Sequence, residues 1–224
     1  MLVLQQINKN SLQALEKITY SNNWTTILLL LLFASIILLS VIDQKKVREN
    51  FFAILNFTLI EDEDLEGNSF FDVFQILIFT FSVSVLSLLV YYFKISKTTE
   101  STIEITSFLP VFIGLILYFI TKRLLEYALL LLFRIKSKLR FFIYLKNNYL
   151  YSISFLLYIA LILFEYAGVN MRFVIFFAGF LFILRFAFLI IRNKKLIFNE
   201  LFYFILYICA LEIAPLFVLF KWMF

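Results

Sequence analysis

The chain has 224 residues, of which 63% are hydrophobic, 20% aromatic and 16% charged, with a formal net charge of +5. A soluble domain has about 45–50% apolar and about 25% charged residues, so this composition excludes a water-soluble globular domain and indicates a membrane protein. Because there is no histidine and one cysteine, histidine-ligated metals, a Ser-His-Asp triad and an intrachain disulfide are also excluded, and we expect no catalytic residue, metal or cofactor.

Long apolar runs predict one all-α, polytopic membrane bundle of about six transmembrane helices, residues 1–224. A helix needs about 20 mostly apolar residues to cross the bilayer. Apolar residues at helical spacing in segment 1–23 predict an amphipathic segment on the membrane surface. We place the spans at 24–42, 70–93, 105–121, 148–167, 173–191 and 198–220. It stays open whether residues 124–133 extend the third span, lie at the membrane interface or form a separate crossing.

The distribution of bases predicts the orientation of these spans. Loops one, three and five together hold thirteen Lys and Arg residues, whereas the termini and the even-numbered loops hold six. Cytoplasmic loops carry the excess of Lys and Arg, so the odd-numbered loops should face the cytoplasm and both termini the exterior or periplasm. Bases that flank apolar runs do not form a soluble basic stripe, and we therefore expect no nucleic-acid partner.

Loop three contains the densest group of bases, interleaved with apolar and aromatic residues. Such a segment is attracted to anionic lipid by about 1 kcal/mol per base near the surface. We expect the bilayer and its anionic headgroups as partners, with an acidic protein or a phosphate-bearing lipid carrier as the alternative. This basic membrane-surface patch consists of Arg134, Lys136, Lys138, Arg140 and Lys146.

Arg185 and Glu212 fall deep inside predicted spans. A charge at the centre of a membrane helix costs about 2.5–3.5 kcal/mol, so both side chains should face the bundle interior. The last two spans form an antiparallel hairpin, and the two depths differ by about 6 Å at the helical rise, which predicts an Arg185–Glu212 ion pair. Pro215 cannot donate to the carbonyl of Leu211 and should kink the last helix. The pair is a structural link, a proton or ion relay, or a recognition site.

A second polar cluster is predicted nearer the cytoplasmic face. Glu126 lies four residues after Lys122 and three after Arg123, so the three share one helix face. Glu200 enters its helix from this side too and is a candidate acidic partner for those bases. Glu165 is assigned to the same cluster, and because it belongs to the membrane half of the Arg185–Glu212 pair it is also a candidate to join that pair. The alternative is that these bases only snorkel to the interface.

The last span carries a short motif. Residues Ile208–Lys221 (ICALEIAPLFVLFK), and within them Leu211–Pro215, resemble the closing signature of a family of small six-span membrane proteins of unknown function from Bacteroidota. The short N-terminal stretch ending in Asn23 and Trp24 is similar to that family's plan. The resemblance implies a Gram-negative inner membrane location, and it implies no activity or catalytic residue.

Three functional hypotheses follow from the sequence. The first is a non-enzymatic scaffold or accessory subunit of a bacterial envelope assembly, which would have a membrane-protein partner. The second is a small transporter or channel that uses Arg185 and Glu212 beside the helix interruption at Pro215. The third is a lipid-modifying enzyme, for which the acidic run at residues 61–64 is the candidate site.

Overall fold

The computed structural model describes residues 23–52, 73–97, 105–132 and 136–192. These ranges contain helices and no strand. All helices except the second are long and apolar enough to cross a membrane, which confirms the predicted helical membrane bundle over the described ranges. The helices are α1 (Asn23–Ile42), α2 (Gln44–Phe52), α3 (Val73–Lys97), α4 (Ile105–Leu132), α5 (Lys136–Ala167) and α6 (Met171–Arg192).

The helix bounds differ from the predicted spans mainly around loop three. Helix α4 continues without a break through Leu132, past the predicted end of the third span at 121. Its stretch long and apolar enough to cross a membrane is Ile105–Tyr127. Helix α5 begins at Lys136, well before the predicted start at 148, because a helix can include bases that a search for uncharged runs excludes. The predicted sixth span, 198–220, and nearly all of segment 1–23 lie outside the described residues.

The short charged helix α2 starts at an aspartate cap and packs on α5. The Asp43 carboxylate accepts the backbone N–H of Lys46 at 3.0 Å, which satisfies a donor at the helix start. The Ser152 hydroxyl of α5 donates to the carbonyl of Phe51 at 2.8 Å. This bond fixes the end of α2 against the bundle.

A tight turn joins α5 to α6. Gly168 adopts φ 66°, a left-handed conformation that suits glycine just after a helix. Asn170 then caps α6, because its side-chain oxygen accepts the backbone N–H of Arg172 at 3.1 Å. The short connection makes α5 and α6 antiparallel neighbours.

Helices α3 and α5 form the centre of the bundle. They pack against each other, and α4 and α6 each pack on both of them, while α1 packs on α3. The centre holds fully buried side chains such as Tyr91 of α3 and Leu157 of α5. Membrane helices associate through such packing and through interhelical hydrogen bonds, because lipid supplies no hydrophobic driving force between them.

Candidate functional site

A buried ion pair joins α4 to α5 near one end of the bundle. The Nζ atom of Lys146 contacts Oε1 of Glu126, and these residues are 2% and 4% exposed. Their mutual attraction offsets the cost of removing each charge from water. Lys146 therefore does not belong to the basic membrane-surface patch. It lies inside helix α5, on the side that meets α4, rather than in a loop.

Arg185 of α6 reaches the same point on α5. Its Nη2 atom donates to the main-chain carbonyl of Lys146 at 3.2 Å. Lys146 thus links to α4 through its side chain and to α6 through its backbone. The predicted partner of Arg185, Glu212, lies outside the described residues together with Pro215, so that ion pair and the helix kink stay predictions.

These charged residues line a cavity of about 380 Å³ between α3, α4, α5 and α6. Lys122, Arg123 and Glu126 of α4 contribute to it, as the sequence grouped them, and Lys146 and Arg185 join them there. The rest of the wall is mainly apolar, and includes Phe79, Leu86, Leu115, Phe119, Leu150 and Phe182.

Aromatic rings hold two of the bases at the cavity wall. The Arg123 guanidinium lies 5.3 Å from the centre of the Phe79 ring, and the Lys122 ammonium lies 5.8 Å from that of Tyr118. Cation–π contacts of this kind contribute about 0.5–1 kcal/mol at exposed sites and more where water is excluded. They fix both cations beside the cavity rather than in the surrounding lipid.

A second polar site lies toward the other end of α5. Glu165 accepts the Tyr92 hydroxyl at 2.8 Å and the Thr25 hydroxyl at 3.0 Å, and so joins α5 to α3 and α1. At the helical rise, Glu165 is about 28 Å along α5 from Lys146. Glu165 therefore does not share the site of Lys122, Arg123 and Glu126, with which the sequence grouped it.

A comparison with known protein families shows to which family the chain belongs. A family described as a domain of unknown function, DUF4271, matches residues 25–223. The chain belongs to the DUF4271 family. No curated protein and no solved structure was found to match it.

The DUF4271 match includes both polar sites and confirms an uncharacterised family, whereas the bacterial origin and the closing motif stay predictions. Within the ranges described above, no group of three or more acidic or cysteine side chains is placed to hold a metal ion. Glu200 lies outside those ranges, and the structure describes no side chain from residues 128 to 142. Of the predicted basic patch, Lys146 is therefore the member whose side chain the structure describes, and the backbone of Lys136, Lys138 and Arg140 belongs to helix α5 rather than to a loop.

The sequence did not predict the side-chain contacts of Lys146 with Glu126 or of Thr25 and Tyr92 with Glu165. Lys146 was assigned to the membrane surface because it follows four other bases, and nothing local indicates that it meets Glu126. Thr25 and Tyr92 are ordinary residues for a helix end near a membrane interface. That both donate to Glu165 follows from how α1 packs on α3 and α3 on α5.

Proposed function

We propose that this protein is a non-enzymatic membrane scaffold, an accessory subunit of an envelope assembly in a bacterial inner membrane. The observation that carries the proposal is the role of α5. Polar side-chain bonds connect α5 to each of the other five described helices. The bonds to α3, α4 and α6 involve Glu165, Lys146 and Arg185, described above.

The first helix is bound to α5 in two places. Besides the bond from Thr25 to Glu165, the Tyr158 hydroxyl donates to the carbonyl of Leu29 at 3.0 Å. Interhelical hydrogen bonds in membranes contribute about 0.6 kcal/mol on average and up to about 1.7 kcal/mol. Several such bonds converging on one helix favour a single rigid arrangement, which suits a subunit that positions a partner.

The end of the bundle that contains the charged cavity is proposed to face the cytoplasm. Thr25 at the start of α1 and Glu165 near the end of α5 bond to each other, so these two helix ends lie on one side. The half of α4 that contains Lys122 and Arg123 and the half of α5 that contains Lys146 lie toward the other side, where the sequence places more bases. Since Lys and Arg are retained in the cytoplasm, both termini are assigned to the periplasm.

The outer faces of α1 and α6 are two of the surfaces available to a partner. They carry exposed apolar side chains, among which Leu31 is 65%, Phe176 76% and Ile183 71% exposed. Such faces contact lipid in an isolated protein, and a scaffold covers one of them with a helix of another subunit.

Photo-crosslinking in native membranes tests the scaffold role. A benzoylphenylalanine at Leu31 or Phe176 is expected to give one discrete protein adduct of higher mass at one of the two positions. The same probe at Leu32 or Leu181, which are 2% and 5% exposed, should give none and serves as the matched buried control. Lipid adducts alone at both exposed positions, with a monodisperse monomer in mild detergent, would contradict the proposal.

A transporter that uses Arg185 and Glu212 is the second candidate, and the placement of Arg185 on the cavity wall favours it. If it holds, Glu212→Gln should abolish proton-coupled flux in liposomes, because the variant cannot exchange a proton at that position. Glu49→Gln on α2 is the control and should retain wild-type flux. Equal flux through the wild type and Glu212→Gln would exclude this candidate.

A further inference from the structure

Helices α4 and α6 stand on either side of the charged cavity. Both pack on α3 and α5, and in the described ranges they do not pack closely on each other. The cavity between them has a volume of about 380 Å³, far more than the about 30 Å³ that one water takes up in the liquid. Because its wall is mainly apolar, water alone is a poor occupant of this gap.

The sides of α4 and α6 that line the cavity make interactions in addition to those described above. On α4 these residues follow one another at one helical turn: Tyr118, Lys122 and Glu126. On α6 they are Arg185 and Leu189, again one turn apart. Since both sets line the same cavity, one element lying along it would contact both helices.

The chain that follows α6 has the length and the position to lie there. Helix α6 ends at Arg192, just beyond Arg185 and therefore at the charged end of the cavity. The predicted last span, 198–220, measures about 35 Å as a helix, enough to cross a hydrocarbon core of about 30 Å. A connection as short as 193–197 joins helices that lie side by side in a bundle. We therefore expect this span beside α6.

The charges of the last span favour the cavity side of α6. Glu212 would cost about 2.5–3.5 kcal/mol at the centre of a helix that faced lipid. The outer face of α6 carries exposed apolar side chains such as Phe176 and Ile183, which cannot pair with a carboxylate. The cavity side carries Arg185 and, on α4, Lys122, whose positive charges attract a carboxylate whatever other partners these bases have.

We infer that the C-terminal segment, residues 198–220, docks as a helix in the gap between α4 and α6 and closes the cavity on that side. The hairpin predicted from the sequence already brings the segment to α6, and the new element is its contact with α4. The family match supports this docking, because it runs to residue 223 and so includes the segment in the same unit as the helices that form the gap. Neither the scaffold role nor the transporter role is needed for it.

Disulfide formation with the native cysteine tests the inference in the full-length protein. Cys209 is the only cysteine of the chain and lies in the segment, so one engineered cysteine can form one intramolecular disulfide. On the cavity side of α4, at successive turns, the substitutions are Leu115→Cys, Tyr118→Cys and Lys122→Cys. On its lipid side, at matched depths, the controls replace positions that are 47%, 58% and 44% exposed: Ile113→Cys, Leu117→Cys and Ile120→Cys.

Oxidation with copper phenanthroline in native membranes should distinguish the two sides of α4. At least one variant on the cavity side should give about tenfold more intramolecular disulfide than any control, because the bond forms only where the Cα atoms come within about 7 Å. Peptide mass spectrometry measures the yield. Equal yields on both sides, or no disulfide on the cavity side, would overturn the inference. A disulfide-linked dimer from the cavity side would show that a second copy of the chain occupies the gap instead.

A second pair of variants on α6 keeps the test valid if a substitution on α4 disturbs folding. Phe186 lines the cavity and Ile183 faces outward, and both are exposed, at 44% and 71%, so both cysteine variants should fold. A short bismaleimide should join Cys209 to Phe186→Cys and not to Ile183→Cys. The reverse preference would place the segment on the outer face of α6 and would exclude its contact with α4.

Discussion

Glu126→Gln is expected to destabilise the protein by about 3–5 kcal/mol, the usual cost of removing one partner of a buried ion pair. The Lys146 ammonium loses its carboxylate at a position that is 2% exposed. The disturbance should reach α6 as well, because Arg185 bonds to the backbone of Lys146. Unfolding in mixed micelles with increasing dodecyl sulfate, followed by far-ultraviolet circular dichroism, measures the loss.

Two further variants test whether the loss of stability comes from the unpaired buried charge or from substitution in general. Glu126→Leu combined with Lys146→Met removes both charges and should recover most of the lost stability, because buried pairs are often replaceable by apolar residues of similar volume. Glu49→Gln breaks the more exposed pair with Lys45, whose side-chain nitrogen lies 3.8 Å from the Glu49 carboxylate. That change should cost less than about 1 kcal/mol. Similar losses in Glu126→Gln and Glu49→Gln would contradict the importance of the buried pair.

The spans were predictable where the membrane itself sets the helix bounds. Helix α1 ends at Ile42 as predicted, because the charged sequence from Asp43 onward cannot continue into the hydrocarbon core. The start of α5 was not predictable in the same way. From Lys136 onward the helix contains several bases, and a search for uncharged runs does not recognise such a segment as part of a span.

Part of the candidate site could likewise be predicted from the sequence, and part of it could not. Helical spacing alone places Lys122, Arg123 and Glu126 together, and the structure has them in one cavity. The contacts of Lys146 and Arg185 depend on the depth at which α4, α5 and α6 meet. No local pattern in one sequence specifies that depth, so the ion pair and the cavity could be found only from the tertiary structure.

Glu165→Ala should destabilise the bundle by about 2 kcal/mol, because two hydroxyls lose one carboxylate acceptor. Tyr92 and Thr25 donate to separate oxygens of Glu165, so the residue links α3 and α1 to α5 at the end opposite the charged cavity. Glu165→Gln keeps one acceptor oxygen and should cost about half as much. The same micelle unfolding experiment measures both.

A double-mutant cycle with Tyr92→Phe distinguishes a direct link from a general loss of packing at this end. Tyr92→Phe alone should cost about 1 kcal/mol, and in the Glu165→Ala background it should add almost nothing, since the shared hydrogen bond is already lost. Tyr166→Phe, next to Glu165 and 61% exposed, is the control and should change stability by less than about 0.5 kcal/mol. Fully additive losses would mean that the Glu165 carboxylate does not couple α3 to α5, and the scaffold proposal would then lose one of its interhelical links.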